Sequence, residues 1–310
     1  MEPKHEKYER LIARCKSLDP VACAVVHPCD ESSLRAAVEA GQEGLITPIL
    51  VGPETTIREL ARVKGIDLGG VAIEDVPDSH RAAARAVALV REGRAELVIK
   101  GSLHSDEILA AVISKETGLR AGRRLSHAFL MDVPTYHKVL IVTDGAINIA
   151  PTLEDKVDIV QNAIDLARSF GVERPKVAIL AAVESVNSKM PATLDAAALC
   201  KMADRGQIKG GVLDGPLAFD NAISREAADI KKIDSEVAGD PDILVAPDLE
   251  AGNMLAKQLS FLANADSAGL VLGAKVPVIL TSRADSLRAR IASCAVAVLV
   301  AHARRRQPGS

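Results

Sequence analysis

The 310-residue chain has no tryptophan, two tyrosines and four phenylalanines, so it offers no aromatic platform on which bases could stack. Basic residues are not in excess either. The 38 Lys and Arg face 41 Asp and Glu, for a net charge of −3, which with no basic stripe argues against nucleic acid as the main partner. The run Arg304-Arg305-Arg306 reads more simply as cations well placed at a helix C-terminus. Cys15, Cys23, Cys29, Cys200 and Cys294 are odd in number, scattered, and form no C-x-x-C pair. They fit reduced thiols in a cytoplasmic protein, not a disulfide framework or a zinc site. The histidines (His5, His27, His80, His104, His127, His137, His302) lack metal-ligand spacing. No apolar run approaches membrane-spanning length, and MEPKHEKYERLIARCKSL lacks the apolar core of a signal peptide. The motifs G-x-x-x-x-G-K-[ST], H-E-x-x-H and G-x-S-x-G are missing, and no G-x-G-x-x-G follows a strand. A P-loop, a zincin helix, a hydrolase elbow and the usual dinucleotide fingerprint are thereby set aside.

What the chain does have is aliphatic residues in short runs that alternate with amphipathic segments from end to end. Val21–His27, Pro48–Gly52, Val71–Val76, Glu96–Ile99, Ser126–Val133, Val139–Val142, Lys176–Val183, Val212–Leu213, Ile243–Val245, Leu270–Leu272 and Val278–Leu280 read as strands. Between them lie helical segments such as Asp30–Ala40, Arg81–Arg91, Leu194–Ala203, Glu250–Leu262 and Leu287–Arg306, several with a capping residue in front and Gly behind. Thr152 and Asp155 have capping-box spacing. This pattern predicts an α/β protein of βαβ units with mainly parallel sheets. The Pro134–Ala150 region reads as a hinge, which divides the chain into a discontinuous domain of 1–143 plus 275–310 and a second domain of 144–274.

Polar residues recur where the predicted strands end. They are Lys100-Gly101-Ser102 with His104, Thr143-Asp144 with Asn148, Asp214-Gly215-Pro216 with Asp220, Pro247-Asp248 with Asn253, and Thr281-Ser282-Arg283. In an open α/β sheet these ends are where ligands bind. For each Asp taken singly, helix capping or turn formation is the favoured explanation. His104 also reads as a local cap, and Lys100, Arg123 and Arg124 as solvated charges. Arg283 stands apart, because a guanidinium directly after a buried strand and a Ser must face a cleft or find a carboxylate. A hydroxyl and a permanent cation at a helix start suit an anion.

The segments KGSLHSDE (100–107), GRRLSHAFLMDVPTYHK (122–138), VTDGAINIAP (142–151), KVDIVQNAIDLA (156–167), LDGPLAFDNAIS (213–224), PDLEAGNMLAKQL (247–259) and PVILTSRADSL (277–287) carry a resemblance. In them the sequence resembles the phosphate acetyltransferase / phosphate butyryltransferase family over most of its length. It is especially similar to the phosphotransacetylase portion of joint enoyl-CoA hydratase / phosphate acetyltransferase proteins, whose hydratase domain would need a segment ahead of Met1. The resemblance implies two three-layer α/β/α domains with the active site in the cleft between them, an architecture like that of isocitrate and isopropylmalate dehydrogenases. It implies a homodimer that acts on small molecules, away from membranes. The implied reaction moves an acyl group reversibly between CoA and inorganic phosphate, with no metal or bound cofactor.

By the same resemblance Ser282 hydrogen-bonds the reacting carbonyl and Arg283 binds phosphate and developing charge. Lys100, Gly101, Ser102, His104, Arg124, Asn148, Asp214, Asp220 and Asn253 become candidates for binding CoA or phosphate. Acetyl-specific members carry an Asp six residues after the Arg, where this chain has Ala289. The S-R-A-D-S form is more similar to the butyryl branch. Asp144, Asp214 and Asp220 therefore stand as alternatives for the base, and Asp144 joins Ser282 and Arg283 as a catalytic candidate. Two other readings remain beside this one: a CoA-binding protein without turnover, and an isocitrate-type dehydrogenase dependent on metal and NAD.

Overall fold

A computed structural model describes residues 6–281 and 285–306. It divides into two compact units, one of Tyr8–Arg123 with Ala268–Ser310, the other of Met1–Lys7 with Arg124–Ser267. The pattern of strands and helices places the borders at 143 and 275. The compact units divide at 124 and 268, so the paired strands of 126–143 group with 144–267.

The first unit opens with α1 (Glu6–Cys15) and continues β1 (Val21–Val26), α2 (Glu31–Gln42), β2 (Ile46–Gly52), α3 (Glu54–Lys64), β3 (Ala72–Asp75), α4 (Ser79–Arg91), β4 (Leu97–Lys100) and α5 (Ser105–Ile113). Its strands run parallel in the order β3-β2-β1-β4. Winding from β1 outward to β3 and then back to β4 reverses direction. With right-handed crossovers, α2 and α3 then cover one face and α4 the other. The central strands are buried on both faces: Cys23–Val26 and all of Leu97–Lys100 are inaccessible or nearly so. The α2 helix starts at Asp30, whose carboxylate accepts from Ser33 N at 2.9 Å, and α4 starts in the same way at Asp78.

The second unit contains β5 (Ser126–Asp132), β6 (Leu140–Thr143), α6 (Leu153–Ser169), β7 (Lys176–Leu180), α7 (Pro191–Asp204), β8 (Val212–Leu217), α8 (Phe219–Ile223), α9 (Arg225–Ile230), β9 (Ile243–Val245) and α10 (Leu249–Leu262). Its strand order is β5-β6-β9-β7-β8, again with one reversal of winding, at β9. The expected Thr152–Asp155 capping box closes the start of α6. Asp214-Gly215-Pro216, read from the sequence as a turn beyond a strand, lies within β8. That strand is outermost in its order, where proline's missing N–H removes no ladder bond. The pair β5–β6 is antiparallel.

The chain returns to the first unit along β10 (Asp266–Leu272), β11 (Val278–Ile279) and α11 (Leu287–Arg306). Strand β11 inserts parallel to β4 and antiparallel to β10. Both units are thus α/β with a mostly parallel, mixed sheet. No helix among the described residues is long and apolar enough to cross a membrane.

Candidate active site

In the first unit the reversal of winding falls between β1 and β4, which is where ligands bind in open sheets. Val26 pairs with Lys100, and Ile279 pairs with Ile99. The chain therefore leaves β1, β4 and β11 at one level, through His27, Gly101 and Thr281. A side chain at Gly101 would collide with this packing, since its Cβ would stand 2.4 Å from the Val26 carbonyl oxygen and 2.6 Å from that of His27. Only glycine lets these two backbones meet.

Ser102 ties the row together. Its N–H and its hydroxyl both donate to the His27 carbonyl, each at 2.9 Å. Its Oγ also lies 3.1 Å from His27 Nδ1 and accepts from Cys29 N at 3.3 Å. His27 holds a left-handed backbone (φ 52°), a costly conformation for a residue with a side chain. Burial, with the nearby Asp30 carboxylate, pushes the Cys29 thiol up to about 11. Lys100 is buried and its Nζ reaches the Gly101 carbonyl at 3.4 Å. His104 is exposed at the head of α5, where its backbone N–H donates to Glu107 at 3.1 Å, the local capping position foreseen for it. Ser282 and Arg283 lie outside the described residues; Thr281, on their near side, is buried.

In the second unit the winding reverses between β6 and β9, and Asp144 follows β6 directly. Its carboxylate accepts from Ala146 N (2.9 Å), Ile147 N (3.1 Å), Asn148 N (3.3 Å) and Asn148 Nδ2 (2.5 Å). Arg124 joins the group through Nε to Asn148 Oδ1 at 2.5 Å and an ion pair to Asp155 at 2.9 Å. Asn253, on α10, donates to the Gly145 carbonyl at 2.9 Å. Four predicted residues, Asp144, Asn148, Arg124 and Asn253, thus meet at one strand end. Asp155, whose spacing from Thr152 marks it as a helix cap, also pairs with the guanidinium. With its four N–H donors converging on it, the Asp144 carboxylate anchors the 145–148 turn.

Next to this group His127 is buried in β5 with its ring edge-on to Phe129. Burial drives its pKa down to about 4 against the opposing pull of the Asp144 charge, so the ring is neutral. Asp214 and Asp220 do not join the group. Asp214 sits in β8, three strands from β6, a separation of about 14 Å at the usual strand spacing. Its carboxylate accepts from Gly215 N at 2.8 Å. Asp220 is exposed and pairs with Lys231 at 3.3 Å, which also holds Glu184.

The chain matches a family model described as "Phosphate acetyl/butaryl transferase" over residues 69–298. It belongs to the phosphate acetyltransferase / phosphate butyryltransferase family. It is 64% identical over 299 residues to a phosphate acetyltransferase of Rhizobium meliloti, covering 96% of this chain and 95% of that one. It is 42% identical over 296 residues to a phosphate butyryltransferase of Clostridium acetobutylicum, covering 96% and 98%. Its structure is similar to that of a branched-chain phosphotransacylase from Enterococcus faecalis V583, with a TM-score of 0.78, 30% identity, and 91% and 99% of the two chains covered. The chain is a transferase of this family.

Proposed function

We propose that this chain transfers an acetyl or other short acyl group between CoA and inorganic phosphate, with Ser282 and Arg283 as the groups that act on the reacting atoms. Membership of the family supports the reaction class. The observation that carries the choice of residues is the common level at which β1, β4 and β11 end, because it brings Lys100, Ser102 and the residue before Ser282 to one edge of a sheet.

In the proposed step a phosphate oxygen attacks the thioester carbonyl carbon, a C–O bond forms, and the C–S bond breaks. The proton of hydrogen phosphate passes to the departing sulfur, so the products are acyl phosphate and CoA thiol and the charges balance. Arg283 neutralises the phosphate, and the Ser282 hydroxyl donates to the carbonyl oxygen as it becomes an oxyanion. Because phosphate brings its own proton, Ala289 in place of the family's Asp does not stop the reaction. Lys100 and Ser102 line the phosphate side. Family resemblance also supports a homodimer, which sedimentation tests.

The test is free-thiol release from acetyl-, propionyl- and butyryl-CoA with and without phosphate. Release that requires phosphate and is lost in Arg283→Ala supports the reading, and the ranking of substrates gives the acyl length. CoA binding without thiol release from any of the three overturns it.

A further inference from the structure

Helix α11 is buried from Ala289 to Ala301, and at its head it carries a guanidinium. Arg290 is only 6% exposed. A cation taken out of water costs several kcal/mol unless it is paired and hydrogen-bonded, and a well-packed apolar residue of like volume commonly does as well or better for stability. The surroundings of Arg290 are shaped to receive it. Small residues of α2 (Ser33, Ala36, Ala37), together with Ile99, Ile279 and Cys294, line a small cavity beside it. The Asp30 carboxylate at the head of α2 is close enough to feel its charge. Burial raises that carboxyl, but hydrogen bonds from Ser32 and Ser33 and the charge of Arg290 outweigh it and hold it below its ordinary value.

The polar contacts of the guanidinium are directional. Nη1 donates to Thr281 Oγ1 at 2.8 Å, and Nε to the Asp285 backbone carbonyl at 3.4 Å. Thr281 is the last residue before Ser282, and Asp285 is the second residue after Arg283. One planar fork therefore holds the chain on both sides of the pair assigned to the chemistry. Its own backbone is fixed as well, since Arg290 N donates to the Ser286 carbonyl at 3.1 Å and the Ser286 hydroxyl accepts from Ala289 N at 3.2 Å. A lysine would offer one point charge in place of a fork and could not span the two sites in the same plane.

We propose that Arg290 is a positioning residue for acyl transfer: its guanidinium bridges Thr281 and Asp285 and so sets the placement of Ser282 and Arg283 against phosphate and thioester. The proposal rests on the reading of Ser282 and Arg283 given above. In this role Arg290 is assigned no contact with substrate. It acts through the chain ends it holds, in the way that small misplacements of a reacting group lower turnover without abolishing binding.

The experiment compares Arg290→Met, Arg290→Lys, Thr281→Val and the double variant Arg290→Met/Thr281→Val in the full chain. It measures kcat and KM for phosphate and acyl-CoA beside the thermal midpoint, and adds guanidinium ion to Arg290→Ala. Met fills the space of the side chain, so the midpoint of Arg290→Met is expected within a few degrees of the parent. Its kcat is expected to fall at least tenfold, with KM for acyl-CoA changed less than threefold. Arg290→Lys is expected between the two. Thr281→Val is expected to lower kcat severalfold, and the double variant to be no worse than Arg290→Met, as for two residues in one interaction. Guanidinium is expected to restore part of the activity of Arg290→Ala. A fully active Arg290→Met overturns the proposal. So does an activity loss that simply tracks a fallen midpoint and shows no rescue. A parent protein without phosphate-dependent thiol release overturns the function itself, and this proposal with it.

Discussion

Asn148 Nδ2 donates to Asp144 Oδ2 at 2.5 Å, while the other face of the same amide accepts from Arg124 Nε at 2.5 Å. The amide thereby joins a buried carboxylate at the end of β6 to an exposed guanidinium. Replacing Asp144 by Ala leaves four N–H donors without their acceptor. Hydrogen bonds to charged groups are worth about 1.5–3 kcal/mol, and a buried donor left without a partner costs about 1–3 kcal/mol. Asp144→Ala is therefore expected to lose about 3 kcal/mol of stability, read as a lower urea midpoint at unchanged slope. Unchanged stability with abolished turnover would instead assign the carboxylate to the chemistry.

His127 gives a pH signature. The unfolded imidazole titrates near about 6.5, whereas the folded one is driven down to about 4 by burial. Between these values the unfolded chain binds more protons, so stability falls as pH drops from 6.5 towards 4. The effect amounts to at most about 3 kcal/mol. His127→Phe removes the titration. Its thermal midpoint should fall less than that of the parent between pH 6.5 and pH 4; parallel curves would rule the imidazole out.

Close backbone approach makes a third prediction. A Cβ on Gly252 would stand 2.2 Å from the Asp144 carbonyl oxygen, and one on Gly101 2.4 Å from that of Val26, while Gly70 has open space around it. Gly252→Ala and Gly101→Ala are each expected to cost about 1–3 kcal/mol by overpacking. Gly70→Ala should stay within about 0.5 kcal/mol. Chemical denaturation of the three variants decides the ranking.

Lys156, on α6, is 6% exposed at its side chain and pairs with Asp195 on α7 at 2.6 Å. Asp195→Asn leaves that ammonium buried without its counter-charge, at a cost of about 2–4 kcal/mol. Lys156→Met with Asp195→Asn together should recover much of the loss. A double variant as weak as Asp195→Asn alone would argue against a buried-charge penalty.

The alternation of strands and helices was legible because strand cores such as Leu97–Ile99 are unbroken aliphatic runs with capping residues behind them. Helices α8 and α9 were not, since five and six residues are too few to show a period. Asp214-Gly215-Pro216 has turn chemistry, and only its place on an outermost strand admits it into β8. At the site, the Asp144–Asn148 spacing was readable, but the saturation of that carboxylate by N–H donors depends on how the 145–148 turn folds back. His27 gave no signal beyond ending an apolar run; its importance comes from Ser102, 75 residues away. Arg290 was hidden for a related reason. Its position in an Ala-rich helix says nothing about a guanidinium reaching back to Thr281.

The strand that completes the first sheet is made nearly last. Strand β4 ends at Lys100, yet its partner β11 begins at Val278. During synthesis at about 5–20 residues per second, the buried Leu97–Lys100 run waits for roughly ten to forty seconds with one row of backbone N–H and C=O groups unpaired. All of 124–267 emerges in that interval. The ribosome thus delivers the strands of 124–267 while β4 still has an open edge, and the unpaired side of β4 is a place where a nascent chain of this protein is exposed to chaperones and to strand pairing with its neighbours.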